Sequence, residues 1–209
     1  MLMQKIFNAE CESLRGVIQL LNVGQADKII SEAKSEYDGM SSIMPYIDDP
    51  SHSMAEATFI YCSYLAIYVS LRARGIDAHT WGKAIYSTPS AESLAEDTSH
   101  RFIDDAEKSL SQANANEFVF EFVPGDDTSN EWGMNVKSCA LCIIFTKYSA
   151  MDLLPYMCAG DDIESESNNQ GLRRNGTIGL GAHECDFKYK VGGTPQPLAP
   201  QFPDKIRFV

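Results

Sequence analysis

The sequence predicts an α+β fold: an N-terminal helical layer packed on a C-terminal antiparallel sheet, in a single domain. Three observations carry this expectation. Met54 to Gly75 is apolar on nearly every side and contains no proline, which suits a central buried helix. Helical spacing of apolar residues persists through the first half of the chain. At Glu117 the period changes to that of strands, beginning with FVFEFV. The expected parts are a mainly helical stretch, 1–115, a sheet-containing stretch with the site, 116–190, and a proline-rich strap, 191–209.

In order along the chain, residues 1–39 place Leu14, Val17, Ile18 and Leu21, then Ile29, Ile30, Ala33 and Tyr37, at helical spacing. Two short helices fit, with Gly16 and Gly24 as weak points. GMSSIMPYIDDPSH is a connection, because Pro45 and Pro50 bias their predecessors away from helix and Asp48, Asp49 and Ser51 supply turn and capping groups. Met54 to Gly75 follows, with Arg72 and Arg74 in the last turn complementing the helix dipole. Thr80 to Tyr86 and Glu92 to Ala113 complete the helical layer. Residues 117–138 read as a hairpin whose loop is GDDTSNEWG, and Ala140 to Tyr148 and Met151 to Met157 return to helix. LRRNGTIGLG and ECDFKYKV are two more strands, so the expected sheet contains 117–123, 132–138, 172–180 and 184–190. The tail, TPQPLAPQFPDKIRFV, is a non-helical strap.

Hydrophobic residues make up 44% of the 209 positions and charged residues 22%, an ordinary globular composition. A net charge of −12 repels phosphate backbones and anionic headgroups, which argues against nucleic acid and membrane surfaces as partners. With neither a signal-like start nor a membrane-length apolar run, the expectation is a cytoplasmic protein with reduced cysteines. The partner expected is a small-molecule substrate, with no cofactor; oligomeric state is left open. Cys139 and Cys142 form a lone CxxC, more in keeping with packing thiols than with zinc. GTIGLG lacks the spacing of a dinucleotide-binding fingerprint.

The chemistry is concentrated between Leu153 and Tyr189. If the segment is helical, Cys158 and Asp161 lie one turn apart and put a thiol beside a carboxylate, with Asp162 next to them. The pair reads either as a proton-transfer or nucleophilic dyad, or as a buried cysteine beside a capping carboxylate. A neighbouring carboxylate raises a thiol's pKa, which disfavours the thiolate unless a cation such as Arg174 intervenes. Asn135, Lys137 and Cys139 alternate and share a face if the strand continues. His183 and Cys185 also share a side; with Cys158 and Asp161 they form a loose N, S and O set, but without tight four-ligand spacing no metal is expected.

These residues resemble the L-2-amino-thiazoline-4-carboxylic acid hydrolase family. The resemblance is carried by Asn135-Val136-Lys137-Ser138-Cys139, by Cys158-Ala159-Gly160-Asp161, and by Leu172-Arg173-Arg174-Asn175-Gly176-Thr177-Ile178 running on to Gly181-Ala182-His183-Glu184-Cys185-Asp186-Phe187-Lys188-Tyr189. Upstream, Pro45-Tyr46-Ile47 and Tyr64-Leu65-Ala66-Ile67-Tyr68 look like its helical half. The sequence departs from the pattern in two ways: Asn175 stands where a hydroxyl residue commonly follows the arginine, and the SESNNQ stretch before it is more polar than expected. The resemblance implies hydrolytic opening of a cyclic isothiourea. The family positions it implies are Cys139, Cys158, Asp161, Arg174, Gly181, Cys185, Asp186 and Phe187; the expected catalytic set is Asp161, Cys158, Cys185 and Arg174, with Asn135, Cys139, Asp162, His183 and Asp186 around the substrate. Asp161 would activate water or Cys158 would attack directly, the first being preferred, while Arg174 would grip the substrate carboxylate. A non-hydrolytic cyclase or isomerase, and a small-ligand-binding module, remain as alternatives on the same scaffold.

Overall fold

A computed structural model of the chain describes residues 1–86, 100–111, 116–125 and 131–196. Mostly N-terminal helices are followed by a three-stranded antiparallel sheet, as an α+β fold requires. The chain divides into two compact units.

The first unit contains residues 1–86 and Ile143–Leu153. Its helices are α1 (Leu2–Leu20), α2 (Ala26–Met40), α3 (Ala55–Arg72) and α4 (Ala78–Ile85). The first two are full-length rather than short: Gly16 sits inside α1 with open space where a Cβ would be, so it costs propensity but breaks nothing. α3 is central, with only Glu56 and Arg72 exposed, and it packs on α1, α2 and α4. Polar groups that reach this core find partners. The Tyr37 hydroxyl reaches the Met3 and Phe59 carbonyls, and Trp81 Nε1 donates to the Tyr64 carbonyl at 3.0 Å. Asp77 caps α4 by accepting from the Thr80 amide at 2.7 Å.

The second unit holds the sheet, with β1 (Val119–Pro124), β2 (Glu131–Ser138) and β3 (Cys185–Lys190) in the order β1-β2-β3. α5 (His100–Ser111) packs on β1; the rest of the helix expected from Glu92 to Ala113 lies outside the described residues. Helix α6 (Ala140–Lys147) starts directly after β2, and α7 (Leu154–Ser167) carries Pro155 in its first turn, where a missing amide is harmless. Register places Phe120, Val136 and Cys185 in one row, Phe122, Met134 and Phe187 in the next, and Pro124, Trp132 and Tyr189 in the third. This is the inner face. Phe102 of α5 stacks on Trp132, which stacks on Tyr189 with ring centres 4.4 Å apart.

The strand expected at 172–180 is replaced by something tighter. Only isolated bridges, Gln170 to Val191 and Arg173 to Lys188, pair this segment antiparallel to the β3 region. From Arg174 onward it leaves the sheet as a loop ending in a 3-10 turn, Ile178–Leu180, closed by Gly181 at φ +89°. The cause is side-chain competition for the backbone: Asp186 accepts from the Asn175 and Gly176 amides at 2.8 and 3.1 Å, taking donors a ladder would need. Gly179 then lets the turn sit against α7, because a Cβ there would lie 3.0 Å from Leu154 and 3.1 Å from the Cys158 sulfur. The proline-rich strap is described only to Gln196, whose amide donates to the Leu172 carbonyl; residues 197–209 lie outside the described residues.

Candidate active site

The helical spacing of α7 sets Cys158, Asp161 and Asp162 within about one turn of each other. The loop after Arg173 turns the next side chain inward. Arg173 is exposed, whereas the Arg174 side chain has no accessible surface. Its guanidinium donates through Nη1 to Asp161 at 2.7 Å, and through Nη2 to Asp162 at 3.0 Å and to the Cys158 carbonyl. It also lies over the Phe187 ring, 5.2 Å from the centroid. An Asp–Arg–Asp triad thus rests on the inner face of the sheet.

Burial raises the Asp161 carboxyl to about 6, despite the opposing pull of Arg174. Burial raises Asp162 too, against the same guanidinium. Burial and the Asp161 charge push the Cys158 thiol up to about 12; burial does the same to Cys185, also to about 12. At neutral pH about one molecule in a hundred thousand would carry a thiolate at either position. Both cysteines therefore act as neutral thiols, Cys185 accepting from the Ile178 amide at 3.2 Å. Asp161 is the group poised to exchange a proton near neutrality, and 26% of its side chain remains accessible.

The other expected residues divide. Asp162 belongs to the triad. Cys139 lies next to the N-terminus of α6, where its hydrogen bond to Cys142 and its burial raise its pKa, while the same contact lowers that of Cys142. The expected face of Asn135, Lys137 and Cys139 does not form, because the strand ends at Ser138. Lys137 is instead exposed and pairs with Glu121 and Glu184. Asn135 shares the outer row with Glu121 and Asp186, opposite to the Cys185 face. Asp186 is a loop clamp: burial raises its pKa, but the amide donors of Asn175 and Gly176 outweigh that and hold it below the carboxylate norm. His183 is exposed. All six cysteines are free thiols.

Residues that sequence reasoning missed are Thr177, Trp132 and Tyr189. Thr177 is 1% exposed beside Cys158. Trp132 and Tyr189 extend the aromatic wall that ends at Phe187. The signal for Tyr189 was present in its alternation with Cys185 and Phe187. Thr177 was masked by reading its segment as a strand. Among the described residues no group of three or more His, Cys, Asp or Glu side chains is arranged to hold a metal ion. No helix among them is long and apolar enough to cross a membrane.

The family model of the L-2-amino-thiazoline-4-carboxylic acid hydrolases matches residues 78–189, a stretch that contains the whole triad, both flanking thiols and all of the sheet but Lys190. The chain belongs to this family. Membership makes it a hydrolase-like enzyme and accounts for the C-terminal motif block, while the upstream resemblance at Pro45–Tyr68 lies outside the matched residues. No curated protein and no solved structure matches the chain.

Proposed function

We propose that the chain opens a small heterocycle by adding water at an amidine-like ring carbon, with Asp161 as the general base. What supports this reading above all is the Asp161 carboxyl at about 6: ionised at neutral pH, yet basic enough to take a proton from water. Arg174 orients Asp161 through its 2.7 Å bond. The water oxygen bonds to the ring carbon, Asp161 takes the water proton, the ring C–S or C–N bond breaks, and the departing sulfur or nitrogen receives a proton. Asp161 hands that proton to the departing atom, and Cys158 and Cys185, held as neutral thiols, are not nucleophiles.

The test is incubation with 2-aminothiazoline-type rings, followed by mass spectrometry. The expected product is heavier by one water, and Asp161→Asn should lower turnover by about 10²-fold or more. A product of unchanged mass would instead identify a cyclase or isomerase. Full activity of Asp161→Asn would remove Asp161 from the chemistry.

A further inference from the structure

The only buried cation of the triad is already committed. A carboxylate grips an arginine through two parallel N–H bonds, along either the Nη1/Nη2 edge or the Nε/Nη2 edge. On Arg174, Nη1 serves Asp161, and Nη2 serves both Asp162 and the Cys158 carbonyl. Nη2 has no proton left, so neither edge is free. Arg174 Nε remains unpaired, but it is buried and single. With both carboxylates ionised, two negative charges face one positive charge. Asp162 Oδ1, also buried and unpaired, adds acceptor capacity. The remaining basic side chains of β2 and β3 point elsewhere: Lys137 pairs with Glu121 and Glu184, Lys190 pairs with Glu131, and Lys188 is exposed.

From this occupied guanidinium and the surplus of acceptors, we infer that the site selects a neutral or cationic heterocycle, an amidine or isothiourea base without a carboxylate beside the reacting carbon. The inference rests on the proposed function for the site's location, and it departs from the anionic substrate in the family's name. An anionic group placed against the triad would meet net negative charge at low dielectric and find no bidentate partner. A protonated or N–H-rich amidine meets acceptors instead. Arg174 is on this account a positioning residue: it fixes the two aspartates and does not touch the substrate.

Binding separates this inference from the hydrolytic reading, since it needs no turnover. The probes are 2-aminothiazoline and 2-aminothiazoline-4-carboxylate, titrated into the full chain by calorimetry, with ring opening scored separately by mass. The expected result is at least tenfold tighter binding of the carboxylate-free ring. Asp162→Asn, which removes one negative charge, should shrink that ratio several-fold, whereas Asp162→Glu should preserve it. Equal or tighter binding of the carboxylate by the wild type, or binding of neither ring, overturns charge selection whatever the variants do. Binding with the expected ratio but no ring opening sustains charge selection and sinks the hydrolytic reading. Preferential hydrolysis of the carboxylate does the reverse.

Discussion

Replacing Asp161 by Asn should separate stability from activity, and its size can be worked from the triad. Asp161 is raised from an ordinary 3.8 to about 6. Keeping such an acid ionised in the folded state costs about 1.4 kcal/mol for each unit by which its pKa is raised, so about 3 kcal/mol at pH 7.5 as an upper bound. The sign follows from the folded pKa lying above the unfolded one: the folded state holds the proton more tightly. The stability this contributes is complete below about pH 4 and is lost as pH rises through 6. Asn removes the penalty but weakens the 2.7 Å bond from Arg174, a loss of about 1–2 kcal/mol. Asp161→Asn should therefore be neutral or up to about 2 kcal/mol more stable at pH 7.5. Urea unfolding of both proteins at pH 4.5 and 7.5 is the assay. The wild type should lose about 2 kcal/mol more than the variant between the two conditions. A variant destabilised by more than about 2 kcal/mol at pH 7.5, or one with the wild-type pH dependence, would refute the assignment of the raised acid to Asp161.

Three further outcomes are expected. Turnover should rise with pH through a single ionisation near 6, because Asp161 must be unprotonated to act as base; a flat profile between pH 5 and 7.5 would count against it. Iodoacetamide at pH 7.5, followed by peptide mapping, should modify Cys142 well before Cys158 and Cys185, since Cys142 alone of the three has a lowered pKa. Arg174→Met should destabilise by about 3–5 kcal/mol in denaturant titration, because two carboxylates lose their counter-charge; a loss under about 1 kcal/mol would mean that they reach solvent freely.

The helices were legible because apolar spacing reports burial directly. α3 shows this best: its circumference is apolar and only two of its residues are exposed. β1, β2 and β3 were legible from alternation, each within one or two residues of its expected bounds. The segment 172–180 was not, since the competitor that keeps it out of the sheet, Asp186, lies 10 residues beyond Gly176 and acts through space. In the site, the expected helix ends at Met157, and Cys158, Asp161 and Asp162 are brought together only because α7 runs on to Ser167. The roles of Arg174 and Asp186 were not legible either, because both depend on which partner reaches each donor first.

Alternation on β3 divides the site's work between adjacent residues. Cys185 and Phe187 face inward, one taking the Ile178 amide and the other lying beneath the Arg174 guanidinium. Asp186 faces outward and holds the loop that delivers Arg174, through the Asn175 and Gly176 amides and the Asn175 side chain. The Cys-Asp-Phe run thus needs its middle residue on the opposite face from the chemistry. A one-residue slip of β3 would exchange these roles, burying the Asp186 carboxylate without its donors and turning Phe187 to solvent. The register with β2, Val136 opposite Cys185 and Met134 opposite Phe187, prevents that slip by filling the inner face with apolar neighbours. Asn175 is accommodated for the same reason: its amide nitrogen donates to Asp186. The departure from the family pattern at Asn175 therefore strengthens the clamp that sets Arg174.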